Sequence, residues 1–224
     1  MKQDKAERIN LQIALDLGDS ASLLRIAHQI ADAVDWLEAG TPWIMREGMR
    51  SVEALKNALP DKTIVADMKI MDAGEYEASI AFEAGANIVT VLSAASDVTI
   101  KGAIQAARQA GGEVLVDMLQ EQDIIRRIPE VLNMGAHYIG LHNAYDDLQA
   151  GKDPLAEMRA FSRLAPGAIV VAGGVGLDNI AEIAAHRPRT IIVGRSVTAA
   201  DDPARAARGM RAILDAMQME GDAR

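Results

Sequence analysis

T-I-V-A-D-M-K, Thr63–Lys69, runs Ile, Val and Ala together before its first charge, and it continues into a tighter polar cluster, A-D-M-K-I-M-D, Ala66–Asp72. A strand exposed on one face alternates apolar and polar residues, whereas a parallel strand covered on both faces reads as a continuous apolar run. Thr63–Lys69 is of the second kind. The same signature recurs on either side: L-Q-I-A-L-D ending at Asp16, V-D-W-L-E-A-G around Glu38, N-I-V-T-V-L before Ser93, E-V-L-V-D-M around Asp117, H-Y-I-G-L-H ending at His142, A-I-V-V-A-G-G ending at Gly174, and T-I-I-V-G-R ending at Arg195. The eight runs follow one another at intervals of roughly 22 to 31 residues, and segments with helical apolar spacing lie between them, such as Ser22–Ala33, Val52–Ala58 and Ile124–Leu132.

Eight strand–helix units without a Pro/Gly/Ser linker or a composition shift predict an α/β fold with one closed (β/α)8 TIM barrel rather than a doubly wound open sheet. Residues 1–224 read as a single domain with its core at about 11–219. Gly85, Gly111/Gly112 and Gly135 stand where helices should end, Pro203–Met219 reads as the eighth helix, and Gly221–Arg224 should fray.

The chain of 224 residues carries 23 Lys+Arg against 32 Asp+Glu, a net charge of −9, and no cysteine. Disulfides, cysteine–zinc sites, iron–sulfur clusters and thiol nucleophiles are therefore excluded, and a cytoplasmic protein is expected. The acidic balance and seven aromatic residues lack the basic stripe and stacking platforms of nucleic-acid binders. The charged start, M-K-Q-D-K-A-E-R-I-N, does not suit a signal peptide, and no apolar run is long enough for a membrane span.

In a parallel barrel the chemistry sits at the C-terminal ends of the strands. Asp67 and Lys69, two apart in a strand, should point the same way and place a carboxylate and an ammonium at the barrel mouth, with Asp72 in the following loop. Alone, such a pair could merely close the barrel top. With acidic residues on neighbouring strands it reads as chemistry. Glu38 and Asp67 on adjacent strands offer two carboxylates to a hard cation such as Mg2+; the alternative for Glu38 is a salt bridge to Lys69 with no metal. Gly173–Gly174 and Gly194–Arg195 end the last two strands, where barrels often bind phosphate, so a sugar phosphate is the natural ligand class. His142 is a candidate general acid or base. Asp16 is a weaker candidate, since Asp19 or Ser20 stands closer to the first helix as its cap. His28, His137 and His186 fall in helices or before a strand and read as structural.

V-D-W-L-E-A-G-T, V-A-D-M-K-I-M-D-A-G, E-A-G-A-N-I-V-T-V, V-D-M, the His142 segment followed by Y-D-D-L-Q-A-G-K-D-P-L, and V-A-G-G resemble the 3-hexulose-6-phosphate synthases. These belong to the orotidine-monophosphate-decarboxylase-like barrels, which also include 3-keto-L-gulonate-6-phosphate decarboxylase. The resemblance runs from about Leu11 to Ala207. It implies Mg2+ on Glu38 and Asp67, Lys69 on the substrate oxygens stabilising an enediolate, His142 in proton transfer, Asp16 on a substrate hydroxyl, and Gly173, Gly174, Gly194 and Arg195 as the phosphate clamp. It also implies a homodimer whose Asp72 reaches the partner's site. The implied activity is that of a carbon–carbon lyase, an aldolase that reversibly condenses formaldehyde with D-ribulose 5-phosphate to a 3-hexulose 6-phosphate. The alternatives are 3-keto-L-gulonate-6-phosphate decarboxylase and a non-catalytic barrel that binds a sugar phosphate. His142-Asn143-Ala144-Tyr145-Asp146 lacks both arginines of the decarboxylase's H-R-x-R-D segment. Trp43, Met45, Ile70 and Ala144 depart from the synthase pattern, and Arg195 is more like the decarboxylases.

Overall fold

A computed structural model describes residues 8–151, 153 and 155–222. Eight parallel strands close into a barrel in sequence order: β1 (Asn10–Leu15), β2 (Trp36–Ala39), β3 (Thr63–Ile70), β4 (Ile88–Leu92), β5 (Glu113–Asp117), β6 (Tyr138–His142), β7 (Ile169–Ala172) and β8 (Thr190–Val193), with β8 pairing back onto β1. The predicted (β/α)8 TIM barrel is present. Each run of Ile, Val and Leu is buried on two faces, one toward the helices and one toward the barrel interior. Trp36, Val65, Ile88, Leu115, Tyr138 and Val170 fill that interior, so the barrel is a packed core rather than a pore. Burying an aliphatic side chain of this size contributes roughly 1.5–3 kcal/mol.

The helices are α1 (Ser20–Ile30), α2 (Thr41–Glu47), α3 (Arg50–Ala58), α4 (Gly74–Glu83), α5 (Asp97–Ala110), α6 (Ile124–Met134), α7 (Tyr145–Gln149), α8 (Ala156–Phe161), α9 (Ile180–Ala185), α10 (Arg195–Thr198) and α11 (Pro203–Asp222). Asp19 caps α1 by accepting from the Ser22 N–H at 2.8 Å, and Ser96 caps α5 through the Thr99 N–H at 3.1 Å. Gly111 and Gly135 end α5 and α6 with φ of +69° and +108°, as their places in the sequence required.

Three expectations about element ends are corrected. The seventh and eighth strands stop at Ala172 and Val193, short of Gly174 and Arg195: Gly173 and Gly174 turn with φ of +93° and +69°, and Arg195 opens α10. The strand around Asp67 is not regular, because its pairing with β4 shifts between Ala66 and Ile70 and Lys69 takes a φ of +47°. The last helix continues through Gly221 and Asp222 rather than fraying there, and residues 223–224 lie outside the described residues. So do residues 1–7, Lys152 and Pro154 of the quoted stretches. Among the described residues, no helix is long and apolar enough to cross a membrane.

Candidate active site

A cavity of about 960 Å3 opens at the C-terminal ends of the strands, where Asp16, Glu38, Asp67, Lys69, Asp117 and His142 meet in its lining. Its size is that of a site for a small organic ligand. The bulge in β3 sets the central pair. Lys69 Nζ lies 2.5 Å from Asp67 Oδ2, and the Lys69 backbone N–H donates to Thr90 Oγ1 at 2.9 Å. The Thr90 hydroxyl in turn donates to Asp67 Oδ1 at 2.8 Å, and the Thr41 hydroxyl lies 2.7 Å from Asp67 Oδ2. The side chains of Asp67 and Lys69 thus share the mouth as expected, though through an irregular strand rather than period-two alternation.

Burial disfavours the Asp67 carboxylate, but Lys69's charge and the bonds from Lys69, Thr41 and Thr90 outweigh it, so the group sits below its ordinary value. Burial likewise opposes the charge on Lys69; Asp67 and Asp117, whose Oδ2 is 3.8 Å away, overcome it and hold the ammonium protonated. Glu38 is pushed well up, by burial first and then by the charges of Asp67 and Asp16. Asp16 is raised by burial and by Asp67.

At the end of β6, His142 Nδ1 is 2.9 Å from Asp117 Oδ2. A carboxylate only accepts, so the proton sits on Nδ1 and Nε2 keeps its lone pair. Burial lowers the imidazole's basicity, and Asp117 more than restores it, leaving the group above its ordinary value. Asp117 is itself fixed by the Leu119 N–H, which donates to Oδ1 at 3.0 Å.

Gly173, Gly174, Gly194 and Arg195 line the far wall of the same cavity. A β-carbon on Gly173 would lie 2.5 Å from the Asn143 carbonyl oxygen, so only glycine fits where this loop crosses the end of β6. The Ser196 hydroxyl donates to the Val175 carbonyl at 2.6 Å and ties the two loops together. Asp16 sits against Gly40, whose missing β-carbon would fall 1.9 Å from Asp16 Oδ1. Asp72 is the exception among the expected residues. It is exposed, accepts from the Ala73 N–H at 2.7 Å and lies outside the cavity lining.

Sequence reasoning assigned no role to Asp117, Thr41 or Thr90. Asp117 ends an apolar strand directly before the one that carries His142, which is the signal that could have paired them. His137 and His186 are structural, His137 Nδ1 accepting from the Val114 N–H at 3.1 Å.

The donor set suits a hard cation. Among the described residues, no three His, Cys, Asp or Glu side chains form a ready ligand cluster. Mg2+, however, commonly takes only one or two protein carboxylates, with substrate and water completing its shell. Buried Glu38 and Asp67 repel one another, and Asp16 adds to that repulsion, a charge excess that a bound divalent ion would relieve.

The sequence profile of the orotidine 5'-phosphate decarboxylase / HUMPS family matches residues 9–210. The chain belongs to this family. It is 40% identical over 209 residues to 3-hexulose-6-phosphate synthase 2 of Staphylococcus saprophyticus, covering 93% of this chain and 98% of that one. The crystal structure of 3-hexulose-6-phosphate synthase from Salmonella typhimurium superposes with a TM-score of 0.90 at 35% identity, covering 93% of this chain and 100% of that one. KGPDC from Streptococcus mutans, solved in complex with a pentose 5-phosphate, gives a TM-score of 0.88 at 29% identity, with 93% and 98% coverage. These family members are named as enzymes of sugar-phosphate chemistry.

Proposed function

We propose that the protein is a 3-hexulose-6-phosphate synthase, an aldehyde lyase that condenses formaldehyde with D-ribulose 5-phosphate. The observation that carries this reading is one cavity holding a charged Lys69–Asp67 pair beside an Asp117-oriented His142, opposite the glycine loops after β7 and β8. Its relatives of the same name support it.

The ketose phosphate lies with its phosphate against Gly173, Gly174, Gly194 and Arg195, where backbone N–H groups and a guanidinium fork suit phosphate oxygens. Asp16 holds a hydroxyl. Glu38 and Asp67 would hold Mg2+, which when bound supplies Lewis acidity toward the ketose oxygens. His142 Nε2 takes a proton from C1, and the C–H electron pair passes into an enediolate whose negative oxygen Lys69 stabilises. C1 then attacks formaldehyde, forming the new carbon–carbon bond as the aldehyde C=O π bond breaks. The resulting alkoxide takes its proton from the His142 imidazolium, which restores the base. Asp67 and Asp117 keep Lys69 protonated, so it acts as a cation and not as an amine nucleophile. Asp72, exposed beyond its own cavity, completes the site of a second copy in a homodimer.

The test is turnover with Mg2+ on two substrate sets. Ribulose 5-phosphate plus formaldehyde should yield a hexulose 6-phosphate, with little carbon dioxide released from 3-keto-L-gulonate 6-phosphate. The reverse preference would make the protein a decarboxylase; inactivity on both with tight sugar-phosphate binding would make it a silent binding barrel.

A further inference from the structure

We propose that Gln12 is a positioning residue that fixes the Glu38 carboxylate from inside the barrel and so sets the affinity of the site for a divalent cation. This rests on the reading of Glu38 as a metal ligand. Gln12 lies in β1, wholly buried, in register with Trp36 on one side and Ile192 on the other, both part of the apolar filling of the barrel. A leucine or methionine would complete that layer without burying an amide, which is costly unless the amide is bonded.

The amide makes one bond. Gln12 Nε2 donates to Glu38 Oε2, and among the described residues this is the only hydrogen bond on the Glu38 carboxylate. Gln12 Oε1 is buried with no partner among those residues. The bond to Glu38 is therefore kept at the expense of a lone buried oxygen, and the reversed amide would set that oxygen against a carboxylate that also accepts. Ala14, which stands opposite Glu38 in the β1–β2 pairing, has no group to take over the task. Glu38 lines the cavity and Gln12 does not, so Gln12 steers the carboxylate without touching substrate or ion. Partners that orient a metal ligand in this way typically change metal affinity by about 10- to 100-fold when removed.

Mn2+ serves as the probe, its binding read by loss of the free-ion signal in electron paramagnetic resonance, with no turnover involved. Gln12→Met keeps the side chain's length and removes the donor; Gln12→Asn keeps an amide that falls short of Glu38. Both should weaken Mn2+ binding about 10- to 100-fold, while Gln12→Met melts cooperatively at or above the wild-type temperature. Glu38→Gln is the control on the underlying reading and should bind more weakly still. Wild-type affinity in both Gln12 variants, with Glu38→Gln impaired, would overturn the positioning role alone. Unimpaired binding by Glu38→Gln would remove Glu38 from the metal site and the inference with it. Loss of a cooperative melt in both Gln12 variants would assign Gln12 to the fold and likewise overturn it.

Discussion

Asp117 determines what His142 can do. By accepting from Nδ1 it leaves Nε2 as the base, and its charge raises the imidazole against the effect of burial. A base must be neutral to act, so activity should rise with pH through a limb above the ordinary histidine range. Asp117→Asn removes the charge and should move that limb of kcat/KM to lower pH, with a lower plateau; a limb that stays in place would separate Asp117 from His142. His142→Ala should lower kcat by about 10²- to 10⁴-fold, the usual contribution of a general base. Glu38 gives a stability prediction of the opposite kind. Its folded value lies well above the ordinary 4.5, so the folded state holds a proton that the unfolded chain releases, and stability falls as pH climbs from about 4.5 through the raised value. In EDTA at neutral pH, Glu38→Gln should therefore melt above wild type, by roughly 2–4 °C for each kcal/mol recovered at this chain length. Added Mg2+ should raise the wild type alone. Glu38, Asp67, Lys69 and His142 were legible because an ionisable residue at the end of an apolar run stands out. The tasks of Asp117, Thr41 and Thr90 were not, because each is defined by a neighbouring strand or loop rather than by its own run.

The loops after β7 and β8 carry the phosphate reading, and two substitutions separate its parts. Arg195→Ala should mainly raise KM for the phosphorylated sugar, since contacts to a remote phosphate are largely uniform between ground and transition states. An unchanged KM with a collapsed kcat would instead place Arg195 in the chemistry. Gly173→Ala meets both a positive φ and the Asn143 carbonyl, so it should lower the melting temperature as well as raise KM. The sequence placed these glycines at strand ends but ran the strands through them. Apolar periodicity does not show where a chain stops pairing, only where it stops being buried. The same limit hid α2 and α10, which are too short for a helical repeat to register, and the β3 bulge, whose Lys69 lies in the left-handed region without a glycine to mark it. Helix ends were easier, because Gly111 and Gly135 are marked by residue type.

Barrel closure was readable from the count and spacing of eight buried-strand runs, since each strand pairs with its neighbour in sequence and the eighth with the first. Assembly was not, because a chain's own periodicity carries no record of a second copy. A shared site is open to test by complementation. Asp72→Asn and Lys69→Ala homodimers should be nearly inactive, yet subunit exchange at equal amounts should restore about a quarter of wild-type activity, one intact site in each heterodimer. Failure after exchange confirmed by mass spectrometry would confine Asp72 to its own subunit. The central claim, an enediolate at C1 captured by formaldehyde, is tested most directly by nuclear magnetic resonance with 13C-formaldehyde, ribulose 5-phosphate and Mg2+. The account predicts that the label appears as the terminal hydroxymethyl carbon of a six-carbon ketose phosphate, and that His142→Ala abolishes it. Formaldehyde signal that persists unchanged beside intact ribulose 5-phosphate would contradict it.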